Sequence, residues 1–280
     1  MEAIATDKKY DQLKRIITES KSAVVAFSGG VDSTFLLAVC VAHLENRVLA
    51  VTSDSEVLPR HELAQAKELA QQLNCEHLTA ASRDLEVAGF ADNPPERCYF
   101  CKRARFIKIK QIAKARGYDW VFDGSNIDDA KDYRPGRKAV TELGIRSPLV
   151  EAGLGKTDIR ILSKALNLTT WDQPSAACLA SRIPYHTTIT REALTQIETA
   201  ENKLRQLGLR LCRVRHHEAI ARIELGKEEM RLLLEKNLGD QIVAYLENLG
   251  YQYVTIDLKG YRTGSMNEVL AGFDSDETDA

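Results

Sequence analysis

The chain has 280 residues, 44% hydrophobic and 28% charged, a balance that supports a sizeable core divided between two domains of ordinary size. Its 38 Lys and Arg nearly match 40 Asp and Glu, for a formal net charge of −2, which argues against a surface built to bind nucleic acid. The longest apolar run, Phe35 to Ala42, is far short of the roughly 20 residues that span a membrane, and Met1 to Ser22 lacks the apolar stretch of a signal peptide. The expected compartment is therefore the cytoplasm, where six cysteines are expected to be reduced, metal-bound or catalytic. Ser22 to Phe27 reads as a short buried strand and Ser33 to Leu44 as a helix. Arg47 to Ser53 is a second strand, Arg60 to Leu73 a second helix, and Cys75 to Ala80 a weaker third strand. Lys102 to Arg116 is helical, and Trp120 to Asp123 is a fourth strand that ends at Gly124. A helix from Thr157 to Leu166, capped by Thr157 or Asp158, closes this half.

The alternation predicts an α/β domain with a Rossmann-like parallel sheet, helices on both faces, and ligands at the carboxyl ends of the strands. Residues 169–188 hold prolines and small residues without periodicity and read as a connection. After it come a helix (Thr190 to Leu207), two strands (Arg210 to His217, Ile220 to Leu225), one long helix (Lys227 to Leu249) and a strand (Tyr251 to Leu258). That order predicts a smaller C-terminal α+β domain with antiparallel pairing. The division is thus 1–168, 169–188, 189–273, and an acidic tail, 274–280, expected to be disordered.

Between the first strand and the first helix stands Ser28-Gly29-Gly30-Val31-Asp32-Ser33. Paired glycines let the backbone turn its N–H groups onto an anion, and the following helix adds its positive dipole end. No Lys-Ser/Thr pair follows, so this is not a Walker A loop, and the third glycine of a dinucleotide fingerprint is missing. A plain glycine turn is the bland alternative to an ATP pyrophosphate cradle. The hexapeptide resembles that of PP-loop (HUP-type) ATP pyrophosphatases, which release pyrophosphate and transfer AMP. The resemblance implies that Ser28, Gly29, Gly30 and Ser33 hold phosphates and that Asp32 positions Mg²⁺. Ser53-Asp54-Ser55 and Asp123-Gly124-Ser125-Asn126 end the second and fourth strands on the same rim, as nucleotide and magnesium contacts or as simple turns.

Cys98-Tyr99-Phe100-Cys101 places two thiols just before the Lys102 helix, and Cys178 lies in the connection near Arg182, an electropositive setting for a thiol. Three such cysteines suit a four-iron cluster with one open position, a zinc site completed by a histidine such as His186, or inert thiols. Cys40, Cys75 and Cys212 read as core. Arg213 and Arg215 share one strand face, as do Arg222 and Glu224 in the next strand. Such forks suit a small anionic substrate, or else form a solvated, salt-bridged sheet face.

From about Ala23 to Asn267 the chain resembles the LarE family of PP-loop sulfur transferases. The resemblance rests on Ser28 to Ser33, Arg97-Cys98-Tyr99-Phe100-Cys101-Lys102, Asp128-Asp129 with Asp132-Tyr133-Arg134-Pro135-Gly136, Arg146-Ser147-Pro148-Leu149, Ala177 to Tyr185, Arg213-Val214-Arg215 and Gly260-Tyr261-Arg262-Thr263-Gly264-Ser265. It implies ATP-dependent adenylation of a carboxylate of pyridinium-3,5-biscarboxylic acid mononucleotide, a precursor of the nickel-pincer nucleotide cofactor of lactate racemase. Sulfur then displaces AMP. The three cysteines resemble members that carry sulfur on a [4Fe-4S] cluster, with Cys98, Cys101 and Cys178 as ligands, rather than those in which one cysteine, here Cys178, gives up its own sulfur. Ser181, Arg182, Arg213 and Arg215 match positions associated with the mononucleotide, and Glu201 one linked to substrate or metal. A homo-oligomer, with no nucleic-acid or membrane partner, is also implied. His186 departs from the family's usual glycine and Gly155 from a frequent threonine. Other readings of the residues are a tRNA thiolase, an ammonia-using synthetase, and a nucleotide-binding metal or cluster sensor.

Overall fold

Successive residues of the first strand, β1 (Ala23–Ala26), are buried on opposite faces: Ala23 and Val25 enter one hydrophobic core and Val24 another. Both faces of this strand are therefore covered, as a parallel sheet requires. The structure, a computed structural model, describes residues 2–130, 135–174 and 177–270. Two compact units emerge, one from Met1–Ala88 with Pro95–Ala176, the other from Gly89–Pro94 with Ala177–Ala280.

The first unit follows α1 (Glu2–Ser20), β1, α2 (Val31–His43), β2 (Val48–Asp54), α3 (Arg60–Gln72), β3 (Glu76–Ala81), α4 (Arg97–Ala115), β4 (Trp120–Phe122), α5 (Gly136–Glu142), α6 (Pro148–Glu151) and α7 (Lys156–Ala165). Its four strands are all parallel in the order β3-β2-β1-β4. Residues of α1, α2, α3, α6 and α7 pack one face, and Phe106, Ile109, Ala113 and Val140 of α4 and α5 pack the other. The strand order reverses at β1, whose neighbours are β2 and β4, so the loop after β1 lies at the switch point where such sheets bind ligands.

Three elements differ from, or add to, what the sequence predicts here. The Met1–Ser22 region contains α1, whose Leu13, Ile16 and Ile17 join the core at spacings that fit a helix despite its polar remainder. Helix α4 starts at Arg97, not Lys102, so Cys98 and Cys101 lie inside its opening turns and share a face at i, i+3 spacing. For α7 the cap is Gly155, whose N–H donates to the Asp158 carboxylate (3.1 Å).

The second unit comprises α8 (Arg191–Gln206), β5 (Cys212–His217), β6 (Ile220–Leu225), α9 (Lys227–Glu235), α10 (Gly239–Asn248) and β7 (Tyr253–Ile256). The expected single helix over Lys227–Leu249 is two: Asn237 takes a left-handed φ of +48°, and the Leu238 N–H closes back on the Leu233 carbonyl, ending α9. β5 and β6 pair antiparallel, but β6 and β7 pair parallel. The helical crossover through α9 and α10 returns the chain in the same direction, which a tight hairpin could not do. Leu204, Leu209, Val214, Ile223, Leu233, Ile242 and Leu246 form this unit's core.

The expected acidic tail and the Asp132–Arg134 stretch lie outside the described residues. Among the described residues no helix is long and apolar enough to cross a membrane.

Thr190 caps α8, its Oγ1 accepting the Ala193 N–H at 3.1 Å. Thr190→Ala is expected to cost about 1 kcal/mol and lower the urea midpoint followed by far-ultraviolet circular dichroism. An unchanged midpoint would show that this cap contributes nothing.

Candidate active site

The first unit builds its site from backbone. Phe27 follows the last residue of β1, and its carbonyl accepts from Thr52 Oγ1 (2.7 Å) on β2, so the start of the loop is tied to the neighbouring strand. Gly29 has φ +73°, and a Cβ there would stand 3.2 Å from the Ala66 Cα of α3, so the position needs glycine for both conformation and space. Ser28 Oγ and Ser33 Oγ lie 3.0 Å apart, and Ser33 Oγ donates to the Gly30 carbonyl (3.2 Å). Gly30 is the N-cap of α2 and offers no side chain to the helix's first N–H groups, which leaves their partial positive charge available to an anion.

The rim residues converge on this loop. Gly124 sits so close to Ser33 that a Cβ would stand 3.1 Å from the Ser33 backbone nitrogen. Beside it, Asp123 is buried, and its carboxylate accepts from Ser147 (2.5 Å) and Ser125 (2.6 Å) and pairs with Lys102 (3.2 Å). Ser53 is next to last in β2, on the same carboxyl edge. Asp32 pairs with Lys156 Nζ at 2.7 Å. Lys102 stands in the Arg97–Lys102 motif without an assigned role there, and Lys156 belongs to no motif. For Lys156 a signal existed: a cation at the first position of a helix opposes the helix dipole, so something else must hold it there.

Cys98 is exposed and Cys101 half-buried; neither is in a disulfide. Cys101 Sγ donates to Asp84 Oδ2 (3.4 Å). Asp84 has no exposure, and burial alone would raise its pKa, but the Arg105 guanidinium and the Ser82 hydroxyl hold the carboxyl below its usual range. Among the described residues no group of three or more His, Cys, Asp or Glu gathers in an arrangement that could hold a metal ion.

In the second unit Cys178 precedes a short turn, Leu179–Arg182. Its carbonyl accepts from the Ser181 hydroxyl (2.8 Å) and Arg182 Nη1 (2.9 Å). Arg182 then reaches Glu201 with two nitrogens, at 2.9 and 3.1 Å, and both side chains are 1% exposed. Glu201 also accepts from Arg205 (2.8 Å) and the Val214 N–H (3.1 Å). Burial works to raise its pKa, yet Arg182, Arg213 and Arg205 bring it down to about 2. Arg213 lies over the Tyr261 ring, 5.3 Å from its centroid, and Arg215 pairs with Glu224 at 2.6 Å. Burial and repulsion from Arg182 lower the pKa of Arg213.

Arg213, Arg215 and Glu224 are buried, so this is not a solvated sheet face. Among the described residues of this unit the buried charged side chains are three arginines and two glutamates, an excess of positive charge suited to an anionic ligand. His186 takes φ +66° and donates its N–H to the Asn93 carbonyl (2.9 Å), a backbone geometry that favours glycine. Ser28, Gly29, Gly30, Asp32, Ser33, Ser53, Asp123 and Gly124 thus share one edge of the first unit. Ser181, Arg182, Glu201, Arg213 and Arg215 share a network in the second.

Residues 7–93 match the NAD synthase family. An uncharacterized protein of Synechocystis is 39% identical over 264 residues, 94% of this chain and 98% of that protein. A protein of Lactiplantibacillus plantarum named pyridinium-3,5-bisthiocarboxylic acid mononucleotide synthase is 38% identical over 271 residues, 96% of this chain and 97% of its own. An uncharacterized protein of Methanocaldococcus jannaschii is 30% identical over 259 residues, 91% of this chain and 98% of that one.

Because the folded pKa of Glu201 is depressed, its contribution to stability is complete above its ordinary value of 4.5 and is lost as pH falls through about 2. Glu201→Gln, which strands buried guanidiniums, is expected to cost about 3–5 kcal/mol at pH 7 and to flatten the loss of stability between those two pH values. Thermal unfolding of both proteins across that range checks it; parallel curves would contradict the assignment.

Proposed function

The chain belongs to the LarE family of PP-loop sulfur transferases, ATP-dependent enzymes, and from that membership we propose that it converts pyridinium-3,5-biscarboxylic acid mononucleotide to the thiocarboxylate. The product serves nickel-pincer nucleotide synthesis for lactate racemase. The observation that carries this reading is the end-to-end similarity to the L. plantarum synthase, which spans both the phosphate loop and the Cys178 turn.

The chemistry sets what each part does. A carboxylate oxygen is a poor leaving group, whereas AMP is a good one. ATP binds with its pyrophosphate against the N–H groups of Ser28 to Ser33, leaving the α-phosphorus open to the substrate carboxylate. Attack there forms the acyl adenylate and releases pyrophosphate; a sulfur nucleophile then displaces AMP. Asp32 would orient a magnesium ion, which would neutralise phosphate charge, and Lys156, paired with Asp32, and Lys102, paired with Asp123, would add cations. Arg182, Arg213 and Arg215, with Ser181, bind the anionic groups of the mononucleotide.

We further propose that sulfur arrives on a [4Fe-4S] cluster held by Cys98, Cys101 and Cys178. Supporting this, the first two thiols issue from the opening turns of one helix, are not in disulfides, and are open to solvent to different degrees. When bound, a three-thiolate cluster supplies an iron with an open position for inorganic sulfide, so that no protein residue is consumed. In the alternative, Cys178 is a sacrificial donor.

Product analysis with substrate is expected to give AMP and pyrophosphate, and Asp32→Ala to abolish turnover; ADP and phosphate would contradict the reading. Under the cluster proposal, alanine at Cys98, Cys101 or Cys178 removes iron and multiple turnover alike. Iron-free protein about 34 Da lighter after turnover, from loss of H₂S, would instead establish the sacrificial cysteine.

A further inference from the structure

Two side chains of the segment Gly260–Ser265 touch the two arginines of β5. The Tyr261 ring lies under the Arg213 guanidinium, 5.3 Å from it. Ser265 Oγ accepts from Arg215 Nη2 (2.8 Å) and donates to Glu224 Oε1 (2.7 Å), while the same Nη2 also donates to Glu224 Oε2 (2.6 Å). One hydroxyl thus closes a triangle with an arginine and a carboxylate, using both its donor and an acceptor position. Arg215 Nη1 donates to the Ser181 carbonyl (3.2 Å), on the turn that follows Cys178. Its Nε, by contrast, is buried and has no hydrogen-bond partner among the described residues. A buried donor left without a partner is costly, which makes this atom the point where a ligand oxygen would be most favourable.

The segment is fastened independently of the arginines. Tyr261 N–H donates to the Leu225 carbonyl at the end of β6 (2.8 Å), and Gly260 N–H to the Asp257 carbonyl (2.9 Å). Gly260 has φ +71°, and a Cβ there would stand 2.9 Å from the Leu225 oxygen, so glycine is required for the close approach. Arg262 pairs with Glu268 (2.8 Å) and Asp257 (3.5 Å), and Gly264, at φ +75°, turns the chain into the Ser265–Asn267 turn. None of these fastenings uses the guanidinium of Arg213 or Arg215, so the segment can hold those two side chains without depending on them.

We propose that Gly260–Ser265 is a positioning strap for the substrate-binding arginines: Ser265 fixes the guanidinium of Arg215 so that Nε faces an anionic oxygen of the mononucleotide, and Tyr261 seats Arg213. This rests on the proposed role of the two arginines. An arginine side chain that must be ordered by its ligand spends binding energy on its own rotamers; one already clamped does not.

The test is titration calorimetry with pyridinium-3,5-biscarboxylic acid mononucleotide, together with steady-state AMP release and thermal unfolding. Ser265→Ala is expected to weaken mononucleotide binding roughly tenfold, with ATP affinity and kcat at saturation within about twofold of the parent. Ser265→Thr, which keeps the hydroxyl, should recover affinity. Tyr261→Leu should weaken binding in the same selective way while Tyr261→Phe, which keeps the ring, should not. A strap that merely stabilised the unit would lower the unfolding temperature without this selective loss, and that outcome overturns the inference. If Arg213→Ala and Arg215→Ala also bind the mononucleotide normally, the site assignment itself fails. If they lose affinity while Ser265→Ala and Tyr261→Leu keep it, only the strap is refuted.

Discussion

A single carboxylate, Glu201, organises the second unit. It takes two hydrogen bonds from Arg182, one from Arg205 and one from the backbone of Val214, and so ties the turn after Cys178 to α8 and β5. Removing a carboxylate from water carries a penalty of several kcal/mol, recovered only when every oxygen is well partnered. Here the partners outweigh burial, as the depressed pKa of Glu201 shows. The consequence is geometric. Ser181 and Arg182 cannot shift without breaking the network, and Arg215 is joined to the same turn through the Ser181 carbonyl. Buried arginines outnumber buried glutamates three to two among the described residues of this unit, which suits an anionic ligand.

The first unit meets a similar requirement by other means. The proposed phosphate cradle relies on main-chain N–H groups and the start of α2, so its specificity would lie in backbone shape. That is why glycines matter there and why two close approaches, Gly29 to Ala66 and Gly124 to Ser33, fix the loop against α3 and β4. Side chains enter at the margins: Lys156 on Asp32, Lys102 on Asp123. The division of labour suits the proposed chemistry, in which one nucleotide is recognised by its polyphosphate and the other by its carboxylates and phosphate.

Much of this was legible in the residues. The parallel sheet follows from apolar runs that alternate with helical periodicity, and the loop from a glycine pair at the one strand end where a turn into a helix was due. Arg213 and Arg215 follow from strand alternation. What escaped was what depends on distant partners. The break at Asn237 needs a left-handed residue, which asparagine permits but does not announce. The parallel pairing of β7 comes from the helical crossover that separates it from β6, where strand patterns alone suggested a hairpin-like antiparallel pair. Lys102, Asp84 and Lys156 matter through neighbours well separated in sequence, and of the three only Lys156, a cation at a helix start, carries a local hint of a partner. The buried state of the arginine network was likewise invisible, since alternation gives a side chain's face but not what covers it.

The central claim is that ATP activates a substrate carboxylate through its α-phosphorus. Substrate labelled with oxygen-18 in its carboxylates tests this in one experiment, with mass analysis of the phosphorus-containing products of a single turnover. One labelled oxygen is expected in AMP and none in pyrophosphate, because displacement by sulfur leaves the former carboxylate oxygen on the adenylate. Label in inorganic phosphate, or AMP free of label while thiocarboxylate accumulates, would contradict the account.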